Sequence, residues 1–529
     1  MAWIFPIAAS LAVWAQSTGA ITGSVEDPSK AVVAAAQIRV VNEATGEAFK
    51  IVSDTAGRFE FPRLPVGTYT LAASMPGFKQ YAARGIRVDA DQTRQAVVVL
   101  ELGQTTEAVS VSGAVALVET VGGTLRETVD ERRISELPLN GRNPLQLQLL
   151  VPGVVTNNGA AVNLAQNSPL SVNGARGNES NYMLDGGDNN DPLTNTASIV
   201  PNPDALEEFS ILTNNFSAEY GRNSGAAVNA ITKSGTNEIH GSMYEFVRND
   251  AFDARNFFSL LKPVLKRNQF GASLGGPVLI PRVYKGVNRT FFFLSWESLR
   301  ESDANTVSGA VTPTALERAG DFSQSKNKPA DPTTKTPFPG AAIPASRFNA
   351  ASLNFLNTLI PLPNAPNGQY IYNAPTFNNS DQGMARLDHL LTDKQHIMLR
   401  AFVDRTGSQG NGGLPLLNSS VKFNTQNFVA NHTYTIAPNL LNVAQFTYGR
   451  VDLYRTPLPV LNGVTYQSLG VTAPSDTPQY PTNWRGGVTG FWNMSQDNLV
   501  GINRKTFQAT DSFTYIHGAH TLKFGGEYR

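Results

Sequence analysis

Apolar and polar side chains alternate along much of this chain with a period of two. In Arg58-Phe59-Glu60-Phe61 and Thr68-Tyr69-Thr70-Leu71 the aromatic and aliphatic groups fall on one side of an extended segment and the polar groups on the other. That is the mark of a half-buried antiparallel sheet. Between residues 17 and 102 such segments are short, and turn residues such as Asp54-Thr55-Ala56-Gly57 and Pro65-Val66-Gly67 separate them, which predicts a small β-sandwich. From residue 237 the segments lengthen. Nine strands are predicted, at 238–247, 267–275, 289–299, 382–390, 395–405, 422–435, 440–452, 506–515 and 520–529, several of them near the ~9 to 11 residues of a tilted membrane strand. In the fifth, Ile397, Leu399, Ala401 and Val403 oppose His396, Arg400 and Asp404. In the ninth, Leu522, Phe524 and Tyr528 oppose Thr521, Lys523 and Glu527. One row for lipid and one for a lumen follow from that alternation.

The connections alternate too. LTDK (391–394), APNL (437–440) and HGAH (517–520) are tight, whereas 300–381 and 453–505 are long and rich in Pro, Asn and Gly. Short turns at one end and long loops at the other mark an outer-membrane barrel; a soluble sandwich would share the alternation without the asymmetry. Residues 103–236 have a different character. Leu145, Leu147, Leu149 and Leu150 precede Pro152-Gly153, a short apolar element stopped by a breaker. Asn140-Gly141-Arg142-Asn143 and Asn173-Gly174-Ala175-Arg176-Gly177 are loops whose polar side chains suit a watery lumen, and whose Asn and Gly accept positive φ.

Composition narrows the class. Of 529 residues only 16% are charged, against roughly 25% in soluble proteins, and no stretch reaches the ~20 apolar residues of a membrane helix. Lys plus Arg and Asp plus Glu number 42 each, so no net field draws nucleic acid or anionic lipid. The absence of cysteine removes disulfides, thiolate metal sites and cysteine nucleophiles. With 45 Gly and 32 Pro, turns and short strands are expected rather than long helices. Residues 1–16 are expected to be a signal peptide, since AWIFPIAASLAVWA (2–15) is uncharged and ends in Val13-Trp14-Ala15, although the first basic residue is Lys30.

Two resemblances sit on these patterns. DTAGRFEF (54–61) and GTYTL (67–71) make residues 17–102 resemble the carboxypeptidase regulatory-like domain, a small sandwich grouped with carbohydrate-binding folds. This module is non-catalytic, and a spacer or docking role outranks glycan contact. ISELPLNGRNPLQLQLLVPGV (134–154), SVNGARGNESNYMLDGGDNND (171–191) and EEFSILTNNFSAEYGRNSGAAVNAITKSGTNEIHGSMYEFVRN (207–249) make the rest resemble the Oar-like TonB-dependent receptors of the bacterial outer membrane. GGPVLIPRVYKGVNRTFFFLSWE (275–297) and HTLKFGGEYR (520–529) carry the likeness into the barrel segment. The expected fold is mainly β: a small β-sandwich, then an α+β plug domain over 103–236, then an incomplete antiparallel transmembrane β-barrel over 237–529. Nine strands cannot close a pore that takes roughly 22, so the chain is read as part of a longer protein.

The resemblance implies a receptor or transporter in the outer membrane, with the sandwich in the periplasm and energy from TonB with ExbB and ExbD. Its external ligand stays open between glycan, siderophore and peptide. The candidate TonB-contacting strand is Glu107, Ala108, Val109, Ser110, Val111 and Ser112, through strand addition. Candidate plug-loop residues are Asn140, Arg142, Asn143, Arg176, Asp185 and Asp188. DGGDNND (185–191) offers clustered oxygens for calcium, but its spacing is not that of an EF-hand and the plug motif accounts for it. The six His are scattered, and no G-x-S-x-G, P-loop or H-E-x-x-H motif occurs. No catalytic residue, cofactor or metal is expected. The competing readings are a surface-interaction protein without import and a passive porin.

Overall fold

The computed structural model describes residues 18–529 apart from 104–107, 113–122, 157–169, 256, 258–261, 327, 412–413, 415–417, 459–463, 472–484, 496–498 and 519. The expected signal peptide and Glu107 lie outside the described residues. The chain is 57% strand and 11% helix, the mainly β class predicted.

The first strands are β1 (Thr18–Glu26), β2 (Gln37–Asn42), β3 (Ala48–Val52), β4 (Arg58–Pro65), β5 (Gly67–Ser74), β6 (Gln80–Val88), β7 (Thr93–Val99) and β8 (Ala108–Ser112). They form two sheets, ordered β4-β1-β7 and β3-β2-β5-β6-β8. The apolar row read from the sequence is the core: Phe59, Phe61, Tyr69 and Leu71 are buried together with Ile21 and Val40. Tyr69 keeps its hydroxyl satisfied by donating to the Pro65 carbonyl at 2.7 Å. The DTAG turn closes because Asp54 Oδ1 accepts from the backbone N–H of Ala56 and Arg58, each at 2.8 Å. Gly57 stands there at φ 70°, and a Cβ would lie 2.7 Å from the Val25 carbonyl oxygen, so glycine is required on both counts. Strand β8, beyond the expected boundary at 102, joins this sandwich by pairing parallel to β6.

A second unit holds β9 (Leu125–Asp130), α1 (Glu131–Glu136), β10 (Val154–Thr156), β11 (Leu170–Val172), β12 (Asn181–Leu184), β13 (Gly187–Asp188), β14 (Leu206–Asn214) and β15 (Ala227–Thr232). Its main sheet runs β13-β12-β15-β14-β9. Leu145 and Leu147 enter its core, but Leu149 and Leu150 are exposed, because the segment is a 3-10 helix over Pro144–Leu150 that buries one side.

Then come β16 (His240–Asn249), β17 (Val264–Pro277), the small hairpin β18 (Leu279–Ile280) and β19 (Tyr284–Lys285), β20 (Thr290–Val311), α2 (Ala315–Arg318), α3 (Ala350–Leu359), β21 (Gln369–Thr392), β22 (Gln395–Asn411), β23 (Asn418–Ala437), β24 (Leu440–Pro457), the hairpin β25 (Arg485–Val488) and β26 (Trp492–Ser495), β27 (Val500–His517) and β28 (His520–Tyr528). Nine of these form one antiparallel sheet, β16-β17-β20-β21-β22-β23-β24-β27-β28, which does not close on itself among the described residues. Each corresponds to a predicted strand, yet β20 and β21 run to 22 and 24 residues. The alternation reports only the stretch with one face in lipid; beyond it both faces are wet, and the ladder of backbone hydrogen bonds continues without an apolar row.

The facing is as predicted on β22: Leu399 is exposed on the outside, whereas Arg400 and Asp404 are buried on the inside. Met398 and Phe402 share that inner row and are buried as well. Phe402, Met384 and Phe293 from the wall belong to the same apolar cluster as Phe209, Ile211 and Leu147 of the second unit, so this unit is packed directly against the sheet. At the long-loop end, Leu359, Ile360, Leu414, Leu469, Trp492 and Met494 form a separate cluster. Arg318 caps α3 there by donating to the carbonyls of Leu356, Ile360 and Pro361 at 2.9, 2.6 and 2.8 Å.

Truncating Leu71, fully buried in the sandwich, removes transfer energy and leaves a cavity. Leu71→Ala is expected to cost about 2–5 kcal/mol. It should lower the urea midpoint of the sandwich in the full chain and leave the heat-resistant mobility of the barrel unchanged.

Candidate functional site

The seam between the second unit and the wall concentrates the buried charge. Asp185 follows β12 at φ 51°, which turns its carboxylate out of the sheet. It accepts from the Thr232 N–H at 2.8 Å, the Thr232 hydroxyl at 3.0 Å and Arg400 Nε at 3.0 Å, with side-chain exposures of 1% and 0% for the ion pair. Arg400 spends its remaining donors on Asn427 O and Oδ1 at 3.0 and 2.8 Å and on the Leu184 carbonyl at 3.2 Å. Next to it, Arg386 donates to the Thr232 carbonyl at 2.6 Å and holds Asp388 through two bonds of 2.8 and 2.9 Å. Both ions are desolvated and nearly every donor is used, the condition under which a buried pair holds its geometry.

Two further contacts flank it. Asp188 faces Arg222 at 3.2 Å and Arg529 at 3.6 Å, takes Gln508 as acceptor for its N–H at 2.9 Å, and has its carboxyl raised above the usual range by burial. Asp191 pairs with Arg504 of β27 at 2.8 Å. On the other side Arg142 lies over the rings of Tyr244 and Phe246, 4.5 and 4.4 Å from their centroids, and pairs with Asp204 and with Glu297. Glu297 also accepts from Tyr244 and Gln269, at 2.9 and 2.8 Å.

The sandwich docks at the tight-turn end. Both oxygens of buried Glu208 accept from the Ala90 N–H at 3.2 Å, Arg87 pairs with Glu207 at 3.0 Å, and Arg126 donates to the carbonyls of Ala90 and Asp91. Asn237 N–H reaches the Ala44 carbonyl at 3.0 Å, and Thr521 of β28 donates to Glu60 at 2.7 Å, so the contact extends from one edge of the sheet to the other.

A model of the outer membrane beta barrel domain matches residues 231–529. The chain belongs to the outer membrane beta-barrel domain family. In this barrel protein a carboxypeptidase regulatory-like domain model also matches residues 20–101. Over 250 residues it is 28% identical to the TonB-dependent transporter Oar of Myxococcus xanthus, a stretch that is 44% of this chain and 23% of that protein. The chain therefore spans about a quarter of that curated relative. Similar solved structures include the outer membrane transporter YddB from Escherichia coli, at 12% identity and TM-score 0.46 over 76% of this chain and 47% of that one. The siderophore receptor PirA from Acinetobacter baumannii follows, at 14% identity and TM-score 0.47 over 77% and 48%. Family membership places the barrel protein in the outer membrane.

Of the residues singled out in sequence, Arg142, Asp185 and Asp188 meet at the seam with the wall. Their polarity serves buried pairing rather than hydration in a wet lumen, because a charge pressed against the wall loses its water. Asn143 caps the 3-10 helix by accepting from the Leu145 N–H at 2.9 Å, and Arg176 is exposed and bonds through its backbone N–H to Glu179. Asn140 opens the 3-10 turn Asn140–Arg142. Ala108–Ser112 form β8. Arg386, Thr232, Glu297 and Glu208 were missed. The i, i+2 spacing of Arg386 and Asp388 on one strand face was a signal available for the first.

Removing Arg400 strands a buried carboxylate. Arg400→Ala is expected to destabilise the inner unit by about 3–5 kcal/mol, with Asp185→Asn/Arg400→Met recovering most of the loss; hydrogen exchange at the Thr232 amide reads both. At the sandwich seam, burial pushes the Asp91 carboxyl up to about 6, beside Tyr220, Arg126, Glu219 and Lys523. Burial and then the nearby Asp89 put Glu208 well above its usual range, against the opposing pull of the Ala90 N–H and Arg87. Groups raised in the docked state release protons on undocking, so this stabilisation is complete below the ordinary value of 3.8 for Asp91 and is lost as pH rises through about 6. Spin labels at Val97→Cys and Leu193→Cys should give a narrower distance distribution near about pH 5 than near about pH 7.5. Asp91→Asn with Glu208→Gln should remove the difference.

Proposed function

We propose that this chain is the sandwich, plug and barrel portion of a TonB-dependent outer-membrane transporter, with domains at 17–102, 103–236 and 237–529. The observation that carries the reading is a polar unit held against the inner face of a barrel wall by paired charges, of which Asp185 with Arg400 is the most buried. A permanently open porin has no use for such a unit, whereas a gated pathway requires one. The name of the Myxococcus xanthus relative supports the same reading.

The sandwich touches the barrel beside tight connections, Gly46 lying against Asn288 and Glu60 accepting from Thr521. Outer-membrane barrels keep short turns on the periplasmic side, which supports a periplasmic sandwich. TonB, energised by ExbB and ExbD, would engage Glu107 to Ser112. Strand β8 is the last strand of its sheet, so one of its edges is unpaired among the described residues and suits the addition of a partner strand. The ligand, whether glycan, siderophore or peptide, would meet the packed outer loops first.

A photocrosslinking amino acid at Val109 or Val111 is expected to capture TonB in cells, in a yield that falls when ExbB and ExbD are absent. Deleting 105–112 should abolish energised function while the barrel stays in the membrane. No adduct at either position, in cells where a known TonB-dependent receptor gives one, would overturn the assignment. Solute bound at the cell surface with no accumulation driven by the proton gradient would favour a surface-interaction protein instead.

A further inference from the structure

Sandwich, plug and wall do not meet flush. They leave a partly open chamber of about 930 Å³ at the tight-turn end, with Glu43 and Glu47 on the sandwich, Lys233 and Glu238 beyond β15, and Asp388 and Asp393 on the barrel. That volume is at the upper end of the ~300–1,000 Å³ of small-molecule sites. Its lining holds nine carboxylates against five Lys and Arg side chains. Several of the bases are already committed, Arg87 to Glu207 at 3.0 Å, Lys233 to Glu131 at 2.6 Å and Arg386 to Asp388 at 2.8 Å. The carboxylates of Glu47, Glu238 and Asp393 make no hydrogen bond or ion pair among the described residues. Glu47 is partly buried near His396 and Asp388, and desolvation raises its carboxyl above the usual range, so an incoming cation would relieve a real cost.

A second feature points the same way by a different chemistry. Arg63 also lines the chamber; its side chain is 3% exposed, its nearest acid is Glu219 at 3.9 Å, and its Nη1 has no hydrogen-bond acceptor among the described residues. Arg87 Nη2 is in the same condition. Buried donors left without partners are costly and call for an acceptor from outside. A net-acidic cavity walled by protein concentrates positive charge, and the orphaned guanidinium donors demand a carbonyl or carboxylate on the same solute. We propose that this chamber is a solute-binding vestibule beneath the plug that takes cationic, acceptor-bearing molecules, the chemistry of a short basic peptide. The proposal rests on the transporter reading for the direction of travel alone; the charge preference belongs to the chamber.

The chain contains no cysteine, so single introduced thiols report cleanly. Thr433→Cys on the wall and Thr45→Cys on the sandwich both line the chamber, and Leu362→Cys in an outer loop serves as the exposed control. In the purified full chain at low salt, a trimethylammonium methanethiosulfonate should modify the two chamber thiols about tenfold faster than its sulfonate counterpart, relative to the control. Added salt should shrink that ratio. Trilysine should protect both thiols and triglutamate neither; Glu47→Gln/Glu238→Gln should bring the ratio down towards the control, and Arg63→Met should weaken protection. Control-like ratios at both positions, or equal protection by the two peptides, would overturn the vestibule. A missing TonB adduct would leave these ratios untouched, so the two readings fail separately.

Discussion

A carboxylate that leaves water must find a cation, and here it finds one on a different structural unit. The Asp185–Arg400 pair joins the second unit to the wall with both side chains almost without exposure. Neither partner could stay charged alone in that place, and an apolar replacement of both would cost little stability. What the pair supplies is position. Arg400 forks between Asp185, the Leu184 carbonyl and Asn427, so β12 can dock on β22 and β23 in one register only.

The rest of the seam follows from that placement. Once β12 is set, Asp188 and Asp191 face β27 and the chain end, and Arg142 reaches the rings of β16 on the far side. Between these polar contacts Phe293, Met384 and Phe402 complete the apolar core of the second unit. The interface is thus held by apolar burial and oriented by charge. Separating this unit from the wall would strip several ions of partners in a dry place, so the contact resists displacement.

The sandwich seam is built differently. Its acids, Glu208 and Asp91, are held by backbone groups and neighbouring side chains and sit above their ordinary pKa range. A contact whose groups prefer the neutral form is a weaker one near neutral pH. At the opposite end of the sheet, the long loops are tied together by Trp492, Leu469 and α3, with Arg318 closing the end of that helix.

Much of the fold was legible in the residues. The period-two alternation identified nine barrel strands and the two faces of β22, because a wall between lipid and lumen imposes it wherever one face meets lipid. The DTAG turn and the aromatic row of β4 revealed the sandwich for the same local reason. Strand ends, the placement of β8 on the sandwich and the pairing of Asp185 with Arg400 were not legible. Those residues are 215 positions apart, and no local pattern says which lumen-facing arginine a plug carboxylate will meet. Polarity alone suggested hydrated loops; docking against the wall removed the water and turned the same side chains into buried ion pairs. Sequence settles what can be read one turn or one strand at a time, and the partners of buried charges are chosen only when distant surfaces close on each other.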